Sequence, residues 1–86
     1  MAQLTAVVGA ASGLHARPAS QFVQAAAQQG VKVTVGRAGQ PAVDARSLLS
    51  VLALGAGHGE ALELSAEGDG AEAALQALAE VLASAE

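Results

Sequence analysis

The chain lacks cysteine, tryptophan and tyrosine, and Phe22 is its only aromatic residue. Without cysteine it cannot form disulfides, thiolate metal sites or a CxxC redox motif, and such a composition is typical of a reducing compartment. A single aromatic ring excludes base-stacking platforms and aromatic cages. Basic residues are scarce too, because four Lys and Arg stand against eight Asp and Glu, for a net charge of −4. That sign is wrong for a general nucleic-acid binder, so we expect no nucleic-acid partner.

Long apolar runs and targeting segments are also missing. No apolar stretch approaches the ~20 residues that a membrane-spanning helix requires, and no basic segment precedes an apolar one near the N-terminus. A chain of 86 residues has room for one hydrophobic core. We therefore expect residues 1–86 to form a single cytoplasmic domain that does not insert into a membrane.

Hydrophobic periodicity predicts four strands and three helices in the order β-α-β-β-α-β-α. The strands are predicted at residues 3–8, 31–35, 41–45 and 60–66, and the helices at 16–29, at 48–54 and after a capping box at 69–72. Strands with one polar face and amphipathic helices favour two layers. We expect an α+β sandwich with the helices on one side of a mixed or antiparallel sheet.

The residues with the clearest chemistry surround His15, which lies at or just before the first turn of the first predicted helix. The backbone N–H groups of Ala16 and Arg17 have no partner inside such a helix, so they can bind a dianionic phosphoryl group. The positive end of the helix dipole disfavours an imidazolium, so we expect His15 to be neutral and nucleophilic near neutral pH. Arg17 adds planar donors for phosphate oxygens, and Gly13 allows the tight turn that exposes the imidazole.

Residues 13–19, which read Gly-Leu-His-Ala-Arg-Pro-Ala, resemble the active-site signature of the HPr family. Members of this family are histidine-containing phosphocarriers of the bacterial phosphoenolpyruvate:sugar phosphotransferase system. The resemblance covers essentially the whole chain and includes Arg-Ser-Leu-Leu at residues 46–49. It implies an open-faced β-sandwich, in which a four-stranded antiparallel sheet carries three helices on one face.

The resemblance also implies a stoichiometric phosphoryl carrier rather than an enzyme. In this family the Nδ1 atom of the histidine, here His15, accepts a phosphoryl group from enzyme I and passes it to IIA domains of sugar permeases. The arginine, here Arg17, stabilises the transferred group. We expect no cofactor, no bound metal and a monomeric protein.

The resemblance places partner docking on side chains around His15. By family position the docking residues are Ala16, Ser20, Gln24, Arg46, Leu48, Leu49 and Leu52. The segment 48–54 is apolar nearly all round, and a short surface helix cannot bury every side. We therefore expect Val51 and Leu54 in the core, and Leu48 and Leu49 at least partly on the docking face.

Charge is distributed unevenly along the chain. All four basic residues and one acidic residue lie within residues 1–46, and the remaining seven acidic residues follow them. This asymmetry can orient the N-terminal half toward an acidic partner, with Arg17 and Arg46 as a basic rim. Gln24 and Gln28 are neutral where relatives often carry lysines, so this docking surface is less basic than is usual in the family.

Ser47 has two possible roles. It is a plausible N-cap for the helix at 48–54, a role worth roughly 1 kcal/mol that explains the serine fully. It also corresponds to the serine that a regulatory kinase phosphorylates in many relatives, which would make a serine kinase/phosphorylase a further partner. A phosphate there would add about two negative charges to the docking face.

Two other classes of function compete with the phosphocarrier. The main alternative is a small α+β interaction or regulatory module without covalent chemistry, for which His15→Ala would leave function intact. A metal-binding module is weaker, because His15 and His58 lack a third ligand at suitable spacing. His58 lies in a glycine-rich turn, where we expect it to face solvent.

Overall fold

The computed structural model describes residues 2–84. Its seven elements follow the predicted order. The strands are β1 (Ala2–Val7), β2 (Val33–Gly36), β3 (Val43–Asp44) and β4 (Ala61–Ala66), and the helices are α1 (Ala16–Ala27), α2 (Leu48–Ala53) and α3 (Ala71–Ser84).

The four strands form one sheet in the order β1-β4-β2-β3, with every neighbouring pair antiparallel. In the register of the central strands, Leu64 of β4 lies opposite Leu4 of β1 and Val35 of β2. Their side chains therefore share one face of the sheet, which packs against the three helices. The opposite face is open, and the architecture is the expected open-faced α+β sandwich, with an antiparallel rather than a mixed sheet.

The core lies between the sheet and the helices and is entirely apolar. Phe22 of α1 and Val51 of α2 are fully buried. The other large, fully buried side chains come from the strands, the segment after β1 and α3: Val8, Val33, Val35, Leu62, Leu64, Leu75, Leu78 and Leu82. No polar or charged side chain is buried within residues 2–84.

Several element ends differ from the prediction. α1 ends at Ala27 rather than residue 29, because Gln28 and Gln29 donate to carbonyls three residues back, at 3.2 Å each. β2 begins at Val33, and β3 keeps only two residues. Periodicity locates elements well and their ends poorly, since the last turn or ladder bond depends on neighbours.

The capping box predicted at residues 69–72 is wrong. α3 begins at Ala71, and the carbonyl of Gly70 accepts the N–H of Ala74 at 3.0 Å. Gly68 and Gly70 have positive φ angles of 98° and 85°, and this turn puts Gly70 in the capping position. The Asp69 carboxylate accepts no hydrogen bond from the described part of the chain.

The segment after β1 is tied to the C-terminal helix. Gly9 N–H donates to the Leu82 carbonyl at 3.1 Å, and a Cβ on Gly9 would lie 1.8 Å from the Ala83 oxygen. Only glycine allows this approach, which fixes the path of the chain toward residues 10–15.

Candidate functional site

His15 occupies the N-cap position of α1. Its backbone is extended, with φ −88° and ψ −170°, and its side chain makes no capping hydrogen bond. The residue is exposed, and its ring has no hydrogen-bond partner among residues 2–84. The imidazole is therefore accessible from solvent, as Gly13 was expected to allow.

The turn before His15 packs against the backbone of Ala56 and is hydrogen-bonded to it. Gly13 has a φ of +83°, and a Cβ on it would lie 2.8 Å from the Ala56 oxygen. The next residue, Leu14, is buried and donates its N–H to that same oxygen at 2.8 Å. Glycine is required here for both its φ and the close approach. The turn is thus held by a carbonyl 42 residues away from Leu14 in sequence.

The start of α1 offers two unpaired donors. His15 N–H donates to the Gly13 carbonyl at 2.9 Å, and Ala19 N–H donates to the His15 carbonyl at 2.7 Å. Pro18 has no N–H to offer. The N–H groups of Ala16 and Arg17 make no hydrogen bond within the described residues. A helix N-terminus with free donors attracts an anion, so this arrangement can hold a phosphoryl group attached to His15.

Arg17 is exposed and forms no ion pair with any residue from 2 to 84. Its guanidinium is thus available for an incoming anion. Arg46 differs, because its N–H, Nε and terminal nitrogen bind Asp44 at 2.9, 3.2 and 3.1 Å. These bonds, with the side-chain bonds dominant, lower the pKa of the Asp44 carboxyl. The positive charge of Arg46 is therefore largely neutralised locally, and the basic rim predicted from sequence is weaker than its formal charge.

The residues expected for docking fall on two adjacent helices. Ala16, Ser20 and Gln24 are spaced by four along α1 and share a face, where the Gln24 amide donates to Ser20 Oγ at 3.4 Å. α2 packs against α1. It presents Leu48 and Leu49, whose residues are 41% and 81% exposed.

The other side of α2 faces inward. Val51 is fully buried, while Leu52 and Leu54 are half-buried and pack against the core. The predicted exposure of Leu48 and Leu49 and burial of Val51 are confirmed. Leu54, which was predicted in the core, is only half-buried because it follows the last turn of α2, and Leu52 likewise lies at the boundary between core and surface.

Ser47 is the N-cap of α2. Its Oγ accepts the N–H of Ser50 at 3.3 Å and donates to Ser50 Oγ at 3.0 Å. The predicted cap is confirmed, and the hydroxyl is half-buried and engaged in it. This structural role accounts for the serine.

His58 is exposed as expected, and its Nδ1 lies 3.1 Å from the Ala10 carbonyl oxygen. It therefore ties the glycine-rich turn to the segment after β1, a contact that no sequence signal indicated. Among the residues that the structure describes, no cluster of three His, Cys, Asp or Glu side chains can hold a metal. In the same residues, no helix combines the length and apolarity needed to cross a membrane.

A polar cluster that the sequence did not single out lies at the same turn. Glu60 accepts one hydrogen bond from the Arg37 guanidinium and another from Gly57 N–H, the latter at 3.0 Å. The Arg37 bond and then the Gly57 bond lower the pKa of the Glu60 carboxyl. Arg37 and Glu60 are 23 residues apart, and periodicity carries no information on such a pairing.

Comparison with known proteins identifies relatives along nearly the full chain. A family model described as "PTS HPr component phosphorylation site" matches residues 2–84. The phosphocarrier protein HPr of Streptomyces coelicolor is 52% identical over 83 residues, covering 96% of this chain and 89% of the relative. HPr of Haloferax volcanii is 49% identical over 83 residues, covering 95% and 93%. The crystal structure of HPr-C-His from Thermoanaerobacter tengcongensis superposes with a TM-score of 0.86 at 36% identity, covering 95% and 91%.

Proposed function

Because this chain belongs to the PTS HPr family of phosphocarrier proteins, we propose that it carries its phosphoryl group on Nδ1 of His15. One observation carries the proposal. The exposed imidazole has no partner among residues 2–84, and two unpaired N–H groups and the free Arg17 guanidinium follow it directly. Nucleophile, anion site and counter-charge thus come from three consecutive residues. Residues 1–86 would form one domain that presents these three residues.

The phosphoryl donor in this proposal is phosphorylated enzyme I, and the acceptor is a IIA domain. The Nδ1 lone pair forms the new N–P bond as the bond between phosphorus and the donor breaks. No proton moves to the phosphoryl group during the transfer, and the imidazole ring of His15 gains a positive charge when its Nδ1 lone pair forms the N–P bond. Such transfers pass through a loose transition state that is stabilised by position and charge. Transfer to the acceptor reverses these steps, so the chain acts as a stoichiometric carrier and not as an enzyme.

The N–H groups of Ala16 and Arg17 would bind the phosphoryl oxygens, with the Arg17 guanidinium as a further donor. Both donors belong to exposed residues, which limits how tightly they hold the group because water competes for the same oxygens. Modest retention suits a carrier, since the phosphoryl group must leave as readily as it arrives.

Docking would use the face that the two helices form beside His15. Leu49 is the most exposed large apolar side chain among residues 2–84, and Leu48 lies beside it. Exposed apolar groups of this kind mark interaction surfaces. The proposed face consists of these two residues with Leu52, Ala16, Ser20, Gln24 and Arg46. Because the same face surrounds His15, donor and acceptor must occupy it in turn, which a monomeric carrier in the cytoplasm allows.

Incubation with phosphoenolpyruvate and enzyme I tests the proposal. We expect a mass increase of one phosphoryl group in the unmodified protein, lost on acid treatment because the N–P bond is acid-labile. His15→Ala should accept none. His58→Ala is the matched control, since it removes the only other histidine and should be phosphorylated normally. Equal phosphorylation of His15→Ala, or none of the folded unmodified protein, refutes the proposal and favours a non-covalent interaction module.

Ser47 enters the proposal as the cap of α2. A phosphate on it would add about −1.5 to −2 charge next to Leu48, and would repel an acidic partner from the docking face. A serine kinase/phosphorylase acting on Ser47 would thus switch docking off. Ser47→Asp, assayed for transfer from enzyme I beside Ser47→Ala, separates the effect of charge from the loss of the cap.

A further inference from the structure

Arg37 and Glu60 lie outside the proposed phosphoacceptor site, but Glu60 binds the loop that supports this site, and Arg37 binds Glu60. This glycine loop, residues 55–59, reads Gly-Ala-Gly-His-Gly. We infer that Arg37 and Glu60 are positioning residues, which hold the glycine loop in the conformation that supports the turn before His15. Only the consequence for phosphoryl transfer rests on the proposed function.

The contacts pass through a single peptide unit of the glycine loop. Glu60 Oε1 accepts the N–H of Gly57 at 3.0 Å. The carbonyl of the same peptide unit belongs to Ala56 and accepts the N–H of Leu14 at 2.8 Å. Because a peptide unit is planar, the carboxylate that orients its N–H also orients its C=O. Hydrogen bonds at both ends of one peptide unit also polarise each other. Glu60 therefore helps to direct the acceptor that holds Leu14, the residue before His15.

Arg37 holds Glu60 in place for this task. Its Nε donates to Oε2 of Glu60, while Oε1 accepts the N–H of Gly57, so the two carboxylate oxygens bind different donors. The side chains of Arg37 and Glu60 are 35% and 32% exposed. Such an exposed pair contributes little to global stability. Its effect is to restrict the rotamers of Glu60 and so to keep the carboxylate on Gly57.

The glycine loop needs this restraint because three of its five residues are glycines, and because the bond from His58 Nδ1 to the Ala10 carbonyl, at 3.1 Å, lies beyond the Ala56–Gly57 peptide unit. Gly55 and Gly59 have positive φ angles of 62° and 81°, and no atom lies within 4 Å of a Cβ position on either of them or on Gly57. Glycine loses more backbone freedom on ordering than any other residue. Gly59 N–H is anchored to the Val8 carbonyl at 2.8 Å, and the methyl group of Ala56 is buried. Neither contact fixes the rotation of the Ala56–Gly57 peptide plane.

Amide hydrogen exchange measured by NMR tests the restraint without any partner protein. We expect Glu60→Ala to exchange the N–H groups of Leu14 and Gly57 about tenfold faster than the unmodified protein, since local opening loses a bond to a charged acceptor. The matched control is Glu63→Ala, which removes from β4, three residues along the chain, a carboxylate that makes no hydrogen bond within residues 2–84. It should leave both rates unchanged. Glu60→Gln should rescue Gly57, because its amide oxygen still accepts the bond.

Phosphorylation kinetics provide a second readout. For Glu60→Ala we expect the rate constant at saturating phosphorylated enzyme I to fall about fivefold, because His15 is less well positioned, and KM to stay constant, because the docking side chains are intact. Arg37→Ala should change both readouts in the same direction. Equal exchange rates of Leu14 and Gly57 in Glu60→Ala and in its control Glu63→Ala would overturn the inference. Should the unmodified protein accept no phosphoryl group, the proposed function fails, and the exchange rates of Leu14 and Gly57 decide the inference alone.

Discussion

Replacement of Gly13 by alanine tests whether the turn before His15 depends on its close approach to Ala56. A left-handed backbone costs a non-glycine residue ~1–2 kcal/mol, offset by ~0.4–1 kcal/mol because alanine restricts the unfolded chain. The new Cβ would lie 2.8 Å from the Ala56 oxygen. To relieve this clash, the Ala56 oxygen must move away from the N–H of Leu14. The hydrogen bond lost in this way costs another ~1 kcal/mol. We expect the free energy of unfolding to fall by about 2 kcal/mol.

Gly39→Ala is the matched control. Gly39 has a φ of +79°, close to that of Gly13, but no atom lies within 4 Å of a Cβ on it. This variant carries the conformational cost alone, so it should lose about 0.5–1 kcal/mol. Urea unfolding followed by circular dichroism measures both free energies. Equal losses in the two variants would refute the reasoning, because the contact with Ala56 would then contribute nothing.

Three further predictions concern α2 and the acid side of the pH range. Leu49→Ala should change the free energy of unfolding by less than ~0.5 kcal/mol, because the side chain is exposed, but it should raise KM for phosphorylated enzyme I. In contrast, Val51→Ala should lower the free energy of unfolding, measured in urea, by about 2 kcal/mol, because it leaves a cavity. Ser47→Ala should cost about 1 kcal/mol through the lost cap, measured in the same way. Arginine hydrogen bonds lower the pKa values of Asp44 and Glu60 from their ordinary 3.8 and 4.5. Their stabilisation is therefore fully present above these ordinary values and is lost as pH falls through the lowered ones. As pH falls below these ordinary values, thermal unfolding should show a loss of melting temperature that is smaller in Asp44→Asn/Glu60→Gln, since that variant has no such carboxylates to protonate.

The order of the elements was predictable because it depends on local periodicity. Val33 and Val35 alternate with polar residues, which is enough to indicate a strand with one buried face. The buried stripe of α1, including Phe22, follows helical spacing in the same way. A capping position such as Ser47 also depends on its own few residues. At the start of α3, where the capping position depends on a glycine-rich turn, the sequence pattern placed the cap at Asp69, one residue before Gly70.

Local sequence was enough to specify the order of the elements, the position of His15 at the start of a helix and the two free N–H groups that follow it. These features arise within a few residues of chain, since helix geometry alone leaves its first donors unpaired. The contacts that hold this helix start in place depend instead on the packing of distant segments. The bond from Leu14 to Ala56 and the pairing of Arg37 with Glu60 join segments far apart in sequence. Such contacts exist only once the sheet has brought those segments together, and no local pattern encodes them.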